Sequence, residues 1–150
     1  MKLNNSGYLL ICEFEGLSLK PYLCPAKLAT IGYGNTYYPA PNGKKVTLLD
    51  DPITKAQAFE MFKSIADKFA IGVSKCVKKE ISQNMLNSLV SLAYNIGMSN
   101  FMNSTLLKKV NANPNDETIF DEFCRWNKVN KKEVTGLTKR RHKEAVNYFS

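Results

Sequence analysis

The feature that most constrains this chain is a segment dense in apolar residues between two helix-boundary signals. The segment reads SQNMLNSLVSLAYNIG, in which Ser82 is a favoured helix N-cap residue and Gly97 is a residue type that commonly ends helices. A helix with so many apolar positions has to be covered by other elements over most of its surface. We therefore predict that it is the buried central helix of a helical lobe. Its apolar residues are Met85, Leu86, Leu89, Leu92, Ala93 and Ile96.

Shorter helices are predicted on the C-terminal side of this central helix. The segments STLLKKV, DETIFDEFCRW and TKRRHKEAVNYF carry helix-like patterns, and the polar stretches NANPN and KKEVTG read as loops. Together with the central helix, these segments form a predicted helical lobe over about residues 73–150.

A longer helix is predicted before the central one, over about residues 54–72. Its sequence, PITKAQAFEMFKSIADKF, begins with a T-x-x-Q capping box formed by Thr54 and Gln57. Apolar residues then recur at helical spacing, which indicates an amphipathic helix. We expect this helix to link two lobes. Its apolar face consists of Ala58, Phe62, Ile65 and Phe69.

The N-terminal part of the chain changes pattern twice. A first helix is predicted from the N-cap residue types Asn4, Asn5 and Ser6 to Gly16. Between residues 17 and 49, ATIGYG and KKVTLL are strand-like and PAPNGKK reads as a turn, which predicts a short antiparallel sheet. The fold class is therefore α+β, with a small lobe over about residues 1–53 that contains a β-hairpin.

Length and composition are those of one globular domain covering residues 1–150. Hydrophobic residues make up 44% of the chain and charged residues 23%. No apolar run approaches the roughly 20 residues of a membrane-spanning helix. The N-terminal apolar patch is interrupted by Glu13 and Glu15, unlike a signal peptide. We expect synthesis in the cytoplasm and no integral membrane segment.

The cysteine pattern does not indicate a metal site. Cys12, Cys24, Cys76 and Cys124 include no C-x-x-C pair and no neighbouring histidine cluster. A cytoplasmic origin favours free thiols over disulfides. We expect no metal and no cofactor.

Positive charge is concentrated near the C-terminus. The formal net charge is +8, and residues 125–150 carry five lysines and three arginines against two glutamates. Such a bias suits any polyanion, including nucleic acid, anionic lipid and cell-wall polymers, although a solvated basic helix face is the alternative for most individual lysines. No base-reading motif accompanies the charge, so we do not expect a nucleic-acid partner.

The stretch around Glu15 carries the chemistry expected of a general acid. Glu15 is predicted in the last turn of the first helix, where the helix dipole and partial burial favour a protonated carboxyl group. Glu13, about 200° away around the helix, is expected to face solvent. Glycosidic cleavage also needs a group on the other side of the bond, and the Thr30 hydroxyl is suited to orienting water. From these residues alone, a surface glutamate at a helix end is the alternative.

Four ordered motifs resemble the phage-type lysozymes, the endolysins of glycoside hydrolase family 24. EFEGLSLKPYLCPAKLATIGYGNT resembles the family signature E-G-x-x-L-x-x-Y-x-D-x-x-G-x-x-T-I-G-x-G-H-T. NSLVSLAYNIG resembles the central helix of the family, FMNSTLLKKVN the following segment, and FCRWNKVNKKEVTGLTKRRHKEAVNYF the R-W…G-L-x-x-R-R-x-x-E ending. The resemblance implies a two-lobed, monomeric muramidase with its active cleft between the lobes.

The resemblance also assigns catalytic positions. Glu15 matches the catalytic acid and Thr30 the water-positioning threonine, whereas Cys24 stands where aspartate is usual and Asn35, a substrate-binding position, replaces the usual histidine. Two roles for Cys24 remain open. Its thiolate can act as base or nucleophile if its pKa is lowered, or Thr30 and a water suffice and Cys24 is dispensable.

Further substrate-binding positions follow from the same resemblance. Gly32 and Gly34 let the hairpin backbone approach the sugar, with simple turn geometry as the alternative. Tyr94 and Asn95 lie where the central helix of the family lines the cleft, and core packing is the alternative for the aromatic ring. Arg141 matches an arginine that approaches the catalytic glutamate in the family.

The predicted function is hydrolysis of the β-1,4 bond between N-acetylmuramic acid and N-acetylglucosamine in peptidoglycan. The resemblance further implies that the protein is released from the host cytoplasm to the periplasm or cell wall without a signal peptide of its own. Two alternatives from other classes remain. A lytic transglycosylase needs only Glu15 and forms 1,6-anhydro products, and a cell-wall-binding module keeps the fold without cleavage.

Overall fold

A computed structural model describes residues 1–150 and confirms the α+β class. The chain divides into two compact units, which we call the hairpin unit (Cys12–Ala66) and the helical unit (Met1–Ile11 with Asp67–Ser150). The structure contains seven helices and two separate antiparallel pairs of short strands. In chain order, the elements are α1 (Asn5–Cys12), β1 (Ser18–Leu23), β2 (Ala29–Gly32), α2 (Lys55–Cys76), α3 (Gln83–Ile96), α4 (Met98–Met102), α5 (Thr105–Ala112), α6 (Ile119–Cys124), β3 (Lys128–Val129), β4 (Lys132–Glu133) and α7 (Thr135–Tyr148).

The hairpin unit is built on the antiparallel pair β1–β2. Tyr22 pairs with Thr30, and the register shifts between Ser18 and Tyr22. The sequence pattern missed β1 because Pro21 interrupts it, and proline lacks the N–H that a strand interior uses. The prediction of a strand over residues 44–49 is wrong, since only an isolated bridge between Tyr37 and Lys45 forms there.

A small core holds the hairpin unit together. Ile31, Val46 and Met61 are buried against one another. The backbone amide of Ile53 donates to the carbonyl of Leu19 at 2.9 Å, which ties the approach to α2 to strand β1. Strand β2 is therefore held in two ways: it pairs with β1 along one edge, and its Ile31 side chain packs in the small core.

The predicted capping box at the start of α2 is confirmed. The Thr54 backbone amide donates to Gln57 Oε1 at 2.8 Å, and the Gln57 amide donates to Thr54 Oγ1 at 3.1 Å. The helix is longer than predicted because it continues to Cys76, so the boundary between Ala66 and Asp67 falls inside it. None of the helices combines the length and apolar character needed to cross a membrane.

The central helix of the helical unit is α3, as predicted. Every residue from Leu86 to Ala93 is buried. The Ser82 side chain accepts a hydrogen bond from the Met85 amide, and Gly97 ends the helix with φ at 88°. The cap signals at both ends therefore mark the structural boundaries.

Helix α1 groups with the helical unit rather than with the hairpin, unlike the predicted small lobe that begins at residue 1. The Asn4 side chain caps the helix by accepting from the Gly7 amide at 3.0 Å and also accepts from the buried Asn87 Nδ2 at 2.9 Å. The helix ends at Cys12, so the predicted end at Gly16 is wrong.

A second hairpin replaces part of a predicted loop. Lys128 pairs with Glu133 and Val129 with Lys132 in the β3–β4 pair. The intervening Asn130 and Lys131 both adopt positive φ angles of 49° and 66°. The sequence offers no glycine at either position, so the usual signal for this tight turn is missing.

Candidate functional site

Glu15 lies beyond the end of helix α1, not in its last turn as predicted. Its backbone amide donates to the Cys12 carbonyl at 3.1 Å, which closes a turn after the helix. The Glu15 residue is half-buried, whereas Glu13 is exposed as predicted. The turn, rather than the helix, therefore determines the position of the Glu15 carboxyl group.

A thiol that the sequence pattern did not assign to the site lies near this carboxyl group. Burial, followed by the negative charge of Glu15, raises the pKa of Cys12 to about 11. Tyr33 lies in the same neighbourhood, and its pKa is raised by burial and by Cys12. The Cys12 thiol is therefore neutral near pH 7 and adds no charge beside Glu15. The only sequence signal that Cys12 lies near Glu15 was their spacing of three positions at the end of a helix.

Cys24 and Thr30 are brought together by the turn of the β1–β2 hairpin. The Cys24 amide donates to the Leu28 carbonyl at 3.0 Å, and the Lys27 amide donates to the Cys24 carbonyl at 2.8 Å. Lys27 adopts a left-handed φ of 61°. Thr30 is buried and pairs with Tyr22, two residues before Cys24. Directly paired residues, and residues two positions apart, lie on the same face of a hairpin. The Cys24 and Thr30 side chains therefore share one face.

Hydrogen bonds at this turn favour the ionised form of Cys24. The Leu28 amide and then the Thr30 hydroxyl contribute most to lowering the pKa of the thiol, and the Ala26 amide adds to them. Any residue type can supply a backbone amide, so the sequence could not show that the pKa of Cys24 would be lowered. The turn provides the lowered pKa that a thiolate base or nucleophile requires.

The Thr30 hydroxyl has one proton and two acceptors within reach. It donates to the Leu28 carbonyl at 2.9 Å, and its interaction with the Cys24 thiol is one cause of the lowered pKa of that group. With a neutral thiol, the sulfur can donate to Thr30 while Thr30 donates to Leu28. With a thiolate, the hydroxyl proton turns toward the sulfur.

The predicted substrate-binding residues of the hairpin unit form a tight turn. Gly32 and Gly34 have φ angles of 67° and 90°, which only glycine adopts readily. The backbones of Ile31 and Asn35 exchange two hydrogen bonds of 2.9 Å across it. The Asn35 side chain is buried, and neither of its carboxamide atoms has a partner within the protein. Substrate binding by Gly32, Gly34 and Asn35 stays a prediction.

The remaining predicted residues lie in the helical unit. Tyr94 packs its ring at 5.3 Å from that of Phe69, so it contributes to packing. Asn95 is exposed, and its Oδ1 accepts from Arg141 Nη1 at 2.9 Å. Arg141 is fully buried and also donates to the Trp126 carbonyl at 3.4 Å. An approach of Arg141 to the catalytic glutamate stays a prediction.

Arg141 belongs to a buried ionic cluster that joins helices α3 and α7. The Glu144 carboxylate forms ion pairs with Arg141 Nε at 2.8 Å and Arg140 Nε at 3.1 Å. It also accepts a hydrogen bond from the Ser91 hydroxyl at 2.5 Å. Burial raises the pKa of Glu144 and lowers that of Arg141, and their mutual attraction opposes both shifts. The sequence pattern gave Glu144 no role, although its spacing from the two arginines matches neighbours on a helix face.

The four cysteines are all free thiols, and each is half-buried. No group of three or more histidine, cysteine or acidic side chains is arranged to hold a metal ion anywhere in residues 1–150.

Comparison with known proteins yields consistent matches. The sequence model of the phage lysozyme family matches residues 12–144. The endolysin of Bacillus phage PZA is 38% identical over 152 residues, which cover 100% of this chain and 56% of that protein. The endolysin of Acyrthosiphon pisum secondary endosymbiont phage 1 is 35% identical over 154 residues, covering 100% and 99%.

Comparison with solved structures also matches the chain to endolysins. The structure of an endolysin from Escherichia coli O157:H7 phage FAHEc1 superimposes with a TM-score of 0.88 at 36% identity, covering 100% of this chain and 94% of that one. The chain spans just over half the length of the two Bacillus phage endolysins that it matches.

Proposed function

The chain belongs to the phage lysozyme family, and we propose that it is an endolysin-type muramidase. It hydrolyses the β-1,4 bond between N-acetylmuramic acid and N-acetylglucosamine in bacterial peptidoglycan. The observation that supports this most is the family match over residues 12–144, because that range contains Glu15, Cys24, Thr30 and Arg141 in one alignment.

Glu15 is the general acid of the proposed reaction. It donates its proton to the glycosidic oxygen as the bond to the anomeric carbon breaks, and positive charge develops on the sugar ring. The closed turn from Cys12 to Glu15 supports this role because it restricts where the carboxyl group can lie. Burial raises the pKa of the Cys12 thiol to about 11, which makes it too weak an acid to compete with Glu15 as the proton donor.

Thr30 and Cys24 handle the attacking water. In this proposal, one water is hydrogen-bonded to the Thr30 hydroxyl and also reaches the Cys24 sulfur, because the two side chains occupy the same face of the hairpin. The thiolate takes a proton from the water as its oxygen bonds to the anomeric carbon. The lowered pKa of Cys24 supports this assignment, because more of the thiol is ionised at neutral pH than in an ordinary cysteine.

The proposed substrate is the cell wall of the host, reached after release from the cytoplasm. Peptidoglycan carries carboxylates on its peptides, and the net charge of +8 favours association with such a polyanion. We propose that the protein acts as a monomer.

A lysis assay tests the acid, with a matched control two residues away. Glu15→Gln should lower the rate of peptidoglycan clearing by about 10²–10⁴-fold, the usual contribution of a general acid. Glu13→Gln removes the same charge from an exposed position and should leave clearing near wild type. Equal activity of the two variants would refute Glu15 as the acid.

Product masses separate hydrolysis from transglycosylation. Hydrolysis leaves a muramic acid with a free reducing end, whereas a lytic transglycosylase leaves a 1,6-anhydro ring that is lighter by one water. We expect reducing ends only. Wall binding without cleavage by the wild-type protein would instead support the binding-module alternative.

A further inference from the structure

The hairpin unit contains a pocket of about 680 Å³ that the proposed chemistry does not use. It lies between the loop of residues 38–42 and the N-terminal part of helix α2. Its volume is in the range of small-ligand sites, roughly 300–1,000 Å³. None of the proposed catalytic or substrate-binding residues lines it, and every lining residue belongs to this one compact unit.

One wall of the pocket is apolar and held in place. The Tyr38 hydroxyl donates to Asp50 Oδ2 at 2.7 Å, and Asp50 also accepts from the backbone amide and the hydroxyl of Thr47. Because the Tyr38 hydroxyl is occupied, the part of this side chain that remains for a ligand is its ring. Pro39 and Pro41 extend the same wall. Their φ angles are fixed by the pyrrolidine rings, so this wall loses little conformational freedom when a ligand binds.

Two carboxamide side chains that line the pocket have their amide hydrogens available to a ligand. Asn42 Oδ1 accepts from the Lys44 backbone amide at 3.0 Å, and Gln57 Oε1 accepts from the Thr54 backbone amide at 2.8 Å. In each side chain the oxygen is occupied, which leaves the NH2 group to donate. These backbone contacts also orient both groups before a ligand binds.

Glu60 and Ser64, one turn apart on helix α2, supply acceptors to the same pocket. The Glu60 side chain is 72% exposed, and its Oε1 lies 3.6 Å from Lys63 Nζ. Its second oxygen can therefore accept from a ligand hydroxyl, and the Ser64 hydroxyl can both donate and accept. No lysine or arginine lines the pocket, although the chain carries a net charge of +8. The lining is therefore unsuited to an anionic ligand.

We propose that this pocket binds an N-acetylglucosamine unit of the cell wall. Sugar hydroxyls both donate and accept, so they match a site that combines two amide donors with a carboxylate acceptor. The apolar C–H face of the sugar ring packs on Tyr38, and the acetamido methyl group contacts the apolar lining residues Ile53 and Met61. Glu60 would repel a phosphate or the carboxylate of a muramic acid. A purely apolar ligand would leave the amides and the carboxylate without partners.

This inference rests on the proposed function, because the sugar belongs to the same wall that the enzyme cleaves. N-acetylglucosamine occurs in peptidoglycan strands and as a substituent of other wall polymers, and both present the same ring to the pocket. A second binding position on the enzyme raises the effective concentration of a long polymer at the first. The pocket should therefore strengthen binding to whole walls.

Nuclear magnetic resonance tests the pocket without depending on cleavage. A β-1,4-linked trisaccharide of N-acetylglucosamine is titrated into the isotope-labelled Glu15→Gln protein. We expect saturable shifts of the side-chain NH2 signals of Asn42 and Gln57, and no such shifts with maltotriose, which lacks the acetamido group. Unchanged signals, or equal shifts with maltotriose, would overturn the proposal. Shifts caused only by a lysine-containing stem peptide would assign the pocket to a cationic ligand instead.

Two pocket variants and one control are added to this titration. Glu60→Ala/Ser64→Ala removes a carboxylate and a hydroxyl from the lining, whereas Ala56→Trp fills the pocket and keeps its polar groups. The control, Glu117→Ala/Ser99→Ala, removes the same two groups from exposed positions outside the pocket. Each pocket variant should raise the Kd for the trisaccharide about 5-fold or more, from lost hydrogen bonds or lost space, and the control should not. Circular dichroism checks the fold, and pocket variants that are folded and bind as the control does would refute the site.

Co-sedimentation with purified walls identifies the source of the sugar. Glu15→Gln is compared with Glu15→Gln/Ala56→Trp on peptidoglycan that has been stripped of other polymers and on walls that retain them. Weaker binding of the filled pocket to stripped peptidoglycan assigns the site to the glycan strand, and weaker binding only to walls with their polymers assigns it to a substituent. Equal binding on both materials contradicts a role in wall attachment. If the wild type fails to cleave while the two NH2 signals shift, the proposed function fails and the sugar site stands.

Discussion

At the scale of single residues, Cys24 offers the sharpest test of how water is activated. The turn lowers the pKa of its thiol, and a thiolate base acts only above that pKa. We predict that Cys24→Ser lowers the lysis rate by about 10²-fold or more, because a serine hydroxyl stays protonated in the working pH range. Clearing of purified peptidoglycan at fixed pH measures the loss.

The pH profile distinguishes this role from a structural one. If the thiolate is the base, the activity of the wild-type protein rises with pH through the lowered pKa of Cys24. Cys24→Asp should restore activity and move that rise toward the carboxyl pKa of about 3.9. Lysis by Cys24→Ser at the wild-type rate, or an unshifted profile for Cys24→Asp, would exclude the thiolate mechanism.

Glu144 supports a second prediction at this scale. Glu144→Gln leaves Arg140 and Arg141 buried without their carboxylate, so unfolding free energy should fall by about 3–5 kcal/mol, as for other broken buried ion pairs. Urea denaturation followed by circular dichroism measures the change. Glu133→Gln, at an exposed position on the second hairpin, is the control and should have little effect. A small loss for Glu144→Gln would mean that water screens the cluster.

At the scale of elements, helix α1 can pack only because residue 7 has no side chain. A Cβ atom on Gly7 would lie 2.5 Å from Asn87 Oδ1 and 2.7 Å from Leu3 Cδ2. Asn87 cannot shift without losing its hydrogen bonds to Asn4 and Gln83. We predict that Gly7→Ala destabilises the protein by about 1–2 kcal/mol, because overpacking exceeds the gain of about 1 kcal/mol in helix propensity.

Gly136 provides the matched control for this prediction. It lies in the first turn of α7 and has no positive φ, and a Cβ atom on it would meet no other side chain or backbone atom within 4 Å. Gly136→Ala should therefore be neutral or stabilising by up to about 1 kcal/mol. Thermal and urea midpoints compare the two variants. Similar midpoints for both would show that α1 shifts to relieve the clash.

The elements that the sequence predicted well are those with local signals. Ser82 and Gly97 bound α3, and the Thr54–Gln57 box begins α2, because each signal acts within one helical turn. Strand β1 was missed because its pairing with β2 outweighs the cost of Pro21. The candidate site differs in the same way. The sequence proposed its residue types, which stay a prediction, whereas the amide donors that lower the pKa of Cys24 depend on turn geometry.

At the scale of the whole molecule, the net charge overstates how many basic side chains of residues 125–150 are exposed to solvent. Two of its eight basic side chains, Arg140 and Arg141, are buried with Glu144, and the other six are exposed. Sequence composition counts both kinds alike, because it cannot tell which arginines lie in the core. The exposed set, rather than the total, is the charge that an anionic partner such as the proposed cell wall would meet.

This exposed charge predicts a salt-dependent association with the cell wall. Exposed charges are screened over about 10 Å at 0.1 M salt, so raising NaCl from about 0.02 to 0.3 M should weaken binding several-fold. Co-sedimentation of the Glu15→Gln protein with purified walls measures binding without cleavage, and circular dichroism checks that the fold is unchanged. The buried cluster is little screened, so stability should vary much less with salt. Binding that is unaffected by salt while the fold persists would mean that uncharged contacts dominate recognition of the wall.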